Sequence, residues 1–129
     1  MAVVARDFRK LSKIAAVAAS DKKAVDIRVL DIRKESDVMD YMVIAEAQSS
    51  PQMRALADSI EQTLHAAGVR LLHRDGGARG GRWMALDYGG LVVHILMTEA
   101  RAFYRLESLW ERAKTVRWKK KAKKEKVLR

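Results

Sequence analysis

The block from Arg82 to Met97, RWMALDYGGLVVHILM, constrains the fold more than any other stretch of this chain. Two apolar-rich runs, 82–88 and 91–97, meet at Gly89-Gly90, a pair that accepts the positive φ angles of a tight hairpin turn. Side chains alternate across a strand, so a two-residue turn sets every cross-strand partner. Tyr88 then faces Leu91, Leu86 faces Val93 and Met84 faces Ile95, an apolar face suited to pack on helices. The other face pairs Asp87 with Val92, Ala85 with His94 and Trp83 with Leu96. It is neither a clean core nor a clean solvent face. Two readings of it stand: a second covered layer in which His94 and Asp87 make internal hydrogen bonds, or a partner-binding surface, where tryptophan anchors are enriched.

The rest of the chain supplies what such a hairpin needs to pack against. Residues 3–19 place Val4, Phe8, Leu11, Ala15 and Ala18 at spacings of three and four, one face of an amphipathic helix that Asp21, Lys22 and Lys23 end. Residues 25–32 alternate Val25, Ile27 and Val29 with Asp26, Arg28 and Asp31, leaving Leu30 off phase, and predict a half-buried strand. The run 41–47, YMVIAEA, predicts a more buried one. Ser49-Ser50-Pro51 starts a helix, because a serine cap satisfies an orphan amide and proline at the first helical position lacks only an unused donor. Met53, Leu56, Ala57, Ile60 and Leu64 form its stripe, and Gly68 its left-handed end. Val69–His73 is a short strand candidate, followed by a glycine-rich loop over 74–81. Thr98 caps a final helix through about Lys114, with Phe103, Leu106, Leu109, Trp110 and Ala113 inward. This order predicts an α+β domain, a mixed sheet flanked by helices.

Charge divides the chain into domain and tail. Residues 112–129 hold ten Lys/Arg and one acid, while the first 111 hold sixteen Lys/Arg and fifteen Asp/Glu. Residues 1–114 are therefore expected as a nearly neutral domain and 115–129 as a disordered basic tail. Its residues Arg117, Trp118, Lys119, Lys120, Lys121, Lys123 and Lys124 suit contact with RNA phosphates, although a merely solvated end has the same composition. No apolar run approaches the roughly 18–20 residues of a membrane span, and charges interrupt the N-terminal apolar stretch as no signal peptide would allow. A cytoplasmic protein without a membrane partner is the expectation.

No chemistry emerges from the residues. The three histidines, His65, His73 and His94, fall on a helix, a strand end and a strand middle, and cysteine is absent, so no metal-ligand spacing exists. The glycines at 76, 77, 80 and 81 do not open a helix as a phosphate-cradling loop does. Asp26, Asp31, Asp37 and Asp40 lack the preceding Gly-Ser loop that a nucleotidyltransferase pairs with its acids. No cofactor, no metal and no catalytic residue is expected.

Three blocks resemble one family. DYMVIAEAQSSPQMRALADSIEQTL (40–64) is similar to the Iojap/RsfS pattern of Asp-Tyr, apolar strand, Ser-containing turn and helix. RWMALDYGGLVVHIL (82–96) resembles its Trp-x-x-Leu-Asp-Tyr, turn and Val-His block, and EARAFYRLESLW (99–110) its Glu-x-Arg-x-Phe-Tyr-x-Leu-Glu-x-Leu-Trp ending. Ala45-Glu46-Ala47 departs from the small pair, such as Thr-Gly, of many members, and the basic tail lies outside the family core. The resemblance implies a nucleotidyltransferase-like shape without the catalytic acids. It also implies a ribosomal silencing factor that binds the large ribosomal subunit through its universal protein L-fourteen and blocks joining of the small subunit, repressing translation. Some members self-associate as dimers. Trp83, Asp87, His94, Glu99, Arg101, Tyr104 and Glu107 are the expected partner-binding residues, and the tail adds ribosomal RNA contact. An RNA-binding ribosome assembly module driven by the tail is the alternative.

Overall fold

The computed structural model describes residues 7–76, 81–104 and 113–119. In chain order the elements are α1 (Phe8–Asp21), β1 (Val25–Asp31), β2 (Tyr41–Ala47), α2 (Ser50–Ala66), β3 (His73–Gly76), β4 (Trp83–Asp87), β5 (Leu91–Met97), α3 (Thr98–Tyr104) and β6 (Lys114–Thr115). The strands form one sheet in the order β3-β4-β5-β2-β1-β6. Among the described residues β2 and β5 pair in parallel and the other strand pairs are antiparallel, so the expected mixed α+β sheet is present.

The hairpin adopts the register that its sequence dictates. Trp83 pairs with Leu96, Met84 with Ile95, Ala85 with His94, Leu86 with Val93 and Asp87 with Val92. The Tyr88 N–H donates to the Leu91 carbonyl at 2.8 Å across the turn, where Gly89 has φ +92°. Gly90 is needed for space: a Cβ there would lie 2.4 Å from the Phe8 ring at the start of α1. The Gly90 carbonyl also accepts from the N–H groups of Asp40 and Tyr41 at 2.9 Å, which docks the turn on β2.

The apolar hairpin face meets α1 and α2. Met84, Leu86, Tyr88, Leu91, Val93 and Ile95 share a buried cluster with Leu11 and Ala15 of α1 and with Met53, Leu56, Ala57, Ile60 and Leu64 of α2. Alanines 15, 16, 18 and 19, at 0–5% exposure, let α1 approach closely. Ser49 caps α2 by accepting from the Gln52 N–H at 3.2 Å, and Gly68 turns the chain out at φ +95°. The other sheet face carries a second cluster: Leu30, Ile32, Met42, Ile44 and Leu96, with Ala100 of α3 above them. Leu30 breaks the apolar alternation because it points to this second covered face, while Ile27 and Val29 point to the first. The pairing of β1 is irregular only before this, between Val25 and Arg28, where Asp26 has φ +46°.

Three expectations need correction. The short strand is His73–Gly76, not Val69–His73, because Val69 is buried in the first cluster after α2 while His73 to Gly76 pair along the edge of β4. The final helix does not run through Lys114: that residue pairs with Asp31 as strand β6, and residues 105–112 lie outside the described residues. The domain does not end at 114. Val116 is 3% exposed, its N–H donates to the Val29 carbonyl at 2.8 Å, and Trp118 packs half-buried on the first cluster. Two apolar residues among many cations suffice because β1 offers a free edge for β6. Chains ending at 114 and at 119 should therefore differ by at least about 3 kcal/mol in denaturant unfolding, the order of a core truncation. Equal stability would place residues 115–119 outside the fold.

Candidate functional site

The candidate site is the strip of sheet left half-covered beside α3. Along β4 it carries Trp83, Ala85 and Asp87, and along β5 their partners Leu96, His94 and Val92, with β2 alongside supplying Glu46, Ile44 and Met42. Leu96, Ile44 and Met42 are sealed at 0–2% exposure, and Trp83 packs against their cluster. Trp83, Ala85, Asp87 and His94 remain half-buried.

Internal hydrogen bonds fix this strip. The Trp83 Nε1–H donates to Nδ1 of His94 at 2.9 Å, with the rings edge-on at 5.7 Å between centroids. His94 must therefore be neutral, its proton on Nε2. Burial pushes its pKa from 6.5 down to about 4. Asp87 Oδ1 accepts from the Gly89 N–H at 2.8 Å and so holds the hairpin turn. Both residues thus make the bonds expected of a covered layer while keeping part of their surface open.

At the end of the strip α3 is bolted to the sheet. The Thr98 hydroxyl donates to Glu46 Oε2 at 2.8 Å. Arg101, 6% exposed, donates to the Asp26 carbonyl and pairs with the carboxylates of Asp26 at 3.5 Å and Glu46 at 3.7 Å. Arg101 was expected to face a partner; its guanidinium is instead engaged inside the fold, where an unpaired buried charge would be costly. Glu46, which looked like a departure from the family pattern, is the acid that Thr98 and Arg101 share. The signal was a lone carboxylate in an apolar strand, legible only once α3 was known to lie above it.

Among the other expected residues, Glu99 is exposed in the first turn of α3. Tyr104 ends that helix, and Glu107 lies outside the described residues. Arg117 and Lys119 are exposed and flank half-buried Trp118, while Lys120, Lys121, Lys123 and Lys124 lie outside the described residues. Among the described residues no group of three or more His, Cys, Asp or Glu could hold a metal, and no helix is long and apolar enough to cross a membrane.

The family model described as ribosomal silencing factor during starvation, RsfS, matches residues 5–128. The chain belongs to that family. The ribosomal silencing factor RsfS of Chromobacterium violaceum is 35% identical over 104 residues, 81% of this chain and 84% of that protein. That of Bacillus subtilis is 36% identical over 102 residues, covering 79% and 86%. The chloroplastic protein Iojap of Zea mays is 35% identical over 76% of this chain and 42% of its own length. A crystal structure of a Chromobacterium violaceum protein superposes with a TM-score of 0.76 at 35% identity, covering 80% of this chain and 85% of that one. The RsfS match reaches residue 128, so the basic C-terminal segment, expected outside the family core, falls within the matched span.

The neutral His94 has a measurable consequence. Between about pH 4 and 6.5 the unfolded chain binds more protons at this residue than the folded one, so stability rises with pH across that window and is lost as pH falls. The full contribution is up to about 3 kcal/mol. His94→Asn, which keeps an acceptor for Trp83 but cannot titrate, should flatten the unfolding free energy between pH 4 and 6.5. An unchanged slope would mean that His94 is protonated in the fold.

Proposed function

We propose that this chain silences ribosomes in the cytoplasm by binding the large subunit through universal protein L-fourteen and excluding the small subunit sterically. The observation that carries the reading is the match to the ribosomal silencing factor family across residues 5–128. The half-covered strip supports it. Trp83 is oriented in advance by His94, so little side-chain freedom is lost when a partner covers it. Asp87 on the strip and Glu99 on α3 present acids to a basic ribosomal protein surface, with Glu107 as a third in the sequence. Arg101 acts through Glu46 and Asp26, positioning α3 at the end of the strip.

Silencing of this kind needs no bond-making. Occupying a surface that the small subunit must meet is sufficient, provided the complex outlasts the encounter. The second reading, an assembly module driven by its basic residues, draws on the ten cations of residues 112–129. Because residues 114–119 belong to the fold, the informative deletion is 120–129. It should weaken binding and flatten its salt dependence by roughly 0.7–0.9 in slope for each phosphate no longer neutralised, with subunit preference retained. Loss of all binding would favour the assembly reading.

The direct test is sucrose-gradient sedimentation of purified subunits, without added nucleotide or metal cofactor beyond the buffer that supports joining. The joined-ribosome peak should fall and saturate near one copy per large subunit. Trp83→Ala should weaken large-subunit binding by about 2–4 kcal/mol as an interface anchor, and Glu99→Lys should slow association and weaken binding. An unchanged gradient at saturating protein would overturn the proposal.

A further inference from the structure

The helical side of the molecule holds an apolar groove that silencing by the opposite sheet face leaves unused. It has a volume of about 430 Å³ and runs between α1 and α2, floored by Ile14, Val17 and Ala18 and walled by Trp118. That volume lies within the roughly 300–1,000 Å³ of small-ligand sites. Lys10 and Lys13 stand on its rim. The indole is held in place from behind: it packs on the first core cluster, and its Nε1–H donates to the Ile27 carbonyl at 3.4 Å. Lys119 places its Nζ 5.7 Å from the same ring.

From this arrangement we infer that the α1–Trp118 groove binds an unpaired nucleobase of single-stranded RNA, with Lys10, Lys13 and Lys119 on the neighbouring phosphates. An aromatic wall beside a basic rim is how proteins hold unstacked bases: the ring takes the base and the cations follow the backbone. A stacked base replaces the Lys119 ammonium over the indole, freeing that cation for a phosphate. Asp21, the one carboxylate among the described lining residues, accepts from a base amino group or ring N–H, so it reads the base while the lysines offset its charge. In sequence, the run from Arg117 to Lys126 that follows the groove wall holds seven Lys/Arg and one acid. That run favours a polyanion over an acidic helix, which would need its own apolar face but no base-sized slot. A duplex cannot fill the groove, because its bases are paired and stacked.

The inference rests on the reading that a ribosomal subunit is the partner, since an exposed unpaired base of ribosomal RNA would be the natural occupant. Its test is independent of subunits. Fluorescence anisotropy of the full chain with labelled oligoadenylate, and with an RNA duplex of equal length at the same salt, should give about tenfold tighter binding of the single strand. Lys10→Glu/Lys13→Glu, changes on the groove rim, should abolish that preference while leaving the melting temperature in place. Trp118→Ala should abolish the preference too, with a lower melting temperature because the indole also packs on the core, and Trp118→Phe, which keeps an aromatic wall, should restore most of the preference. Equal affinity of the wild type for both probes, an unchanged preference in the double variant, or displacement of RNA by a glutamate-rich peptide with matching affinity would each overturn the inference. Sedimentation with large subunits in parallel separates the two readings: retained subunit binding without single-strand preference removes the groove alone.

Discussion

The structure depends on the parallel pairing of β2 with β5. Seven consecutive partners, from Tyr41 with Leu91 to Ala47 with Met97, place β2 at the centre of the sheet, and six of its seven residues are buried. A strand buried on both faces demands cover on both. The chain meets that demand unequally. Two helices of 14 and 17 residues cover one face, while α3, with seven described residues, sits over the other. The second face is therefore sealed over β1 and β2 and left half-open over β4 and β5. The candidate site is a by-product of that asymmetry.

What holds the half-open strip in order is a set of polar contacts added to the packing of Trp83 on the second cluster. Trp83 and His94 fix one another, Asp87 fixes the turn, and Arg101 ties α3 to the bulge of β1 and to Glu46 of β2. Asp26 takes a left-handed conformation at that bulge, which turns its carbonyl toward Arg101. Each contact uses a group that would otherwise be wet or unsatisfied, so the surface is held in one shape.

Much of this was legible before any coordinates. Period-two alternation around the Gly89-Gly90 turn sorted the hairpin residues onto two faces, and the observed pairing of Asp87 with Val92 selects this turn over one slid to Tyr88-Gly89, which would keep both faces but change the partners. The Ser49 cap and the Gly68 exit follow from local backbone chemistry, and they hold because nothing distant competes with them. The failures share another cause. β6 is two residues long, and its place beside β1 comes from an edge far away in sequence, not from any periodicity at 114–115. Arg101 looked surface-bound because its acids, Asp26 and Glu46, lie 75 and 55 positions away in the chain. The Trp118 groove was hidden likewise: a tryptophan in a lysine run reads as tail until α1 is seen beside it.

The β4–β5 strip and α3 are proposed as the face that meets the large subunit. Amide hydrogen exchange of the full chain, free and bound to isolated large subunits, tests this most directly. Amides paired within the hairpin, Tyr88 among them, should already exchange slowly, so the informative probes are those of Arg82, Gly89 and the first turn of α3. These should slow on binding, while the exposed edge at His73–Gly76 stays unchanged. Protection confined to α1, α2 and residues 117–119, with the hairpin turn and α3 untouched, would contradict it.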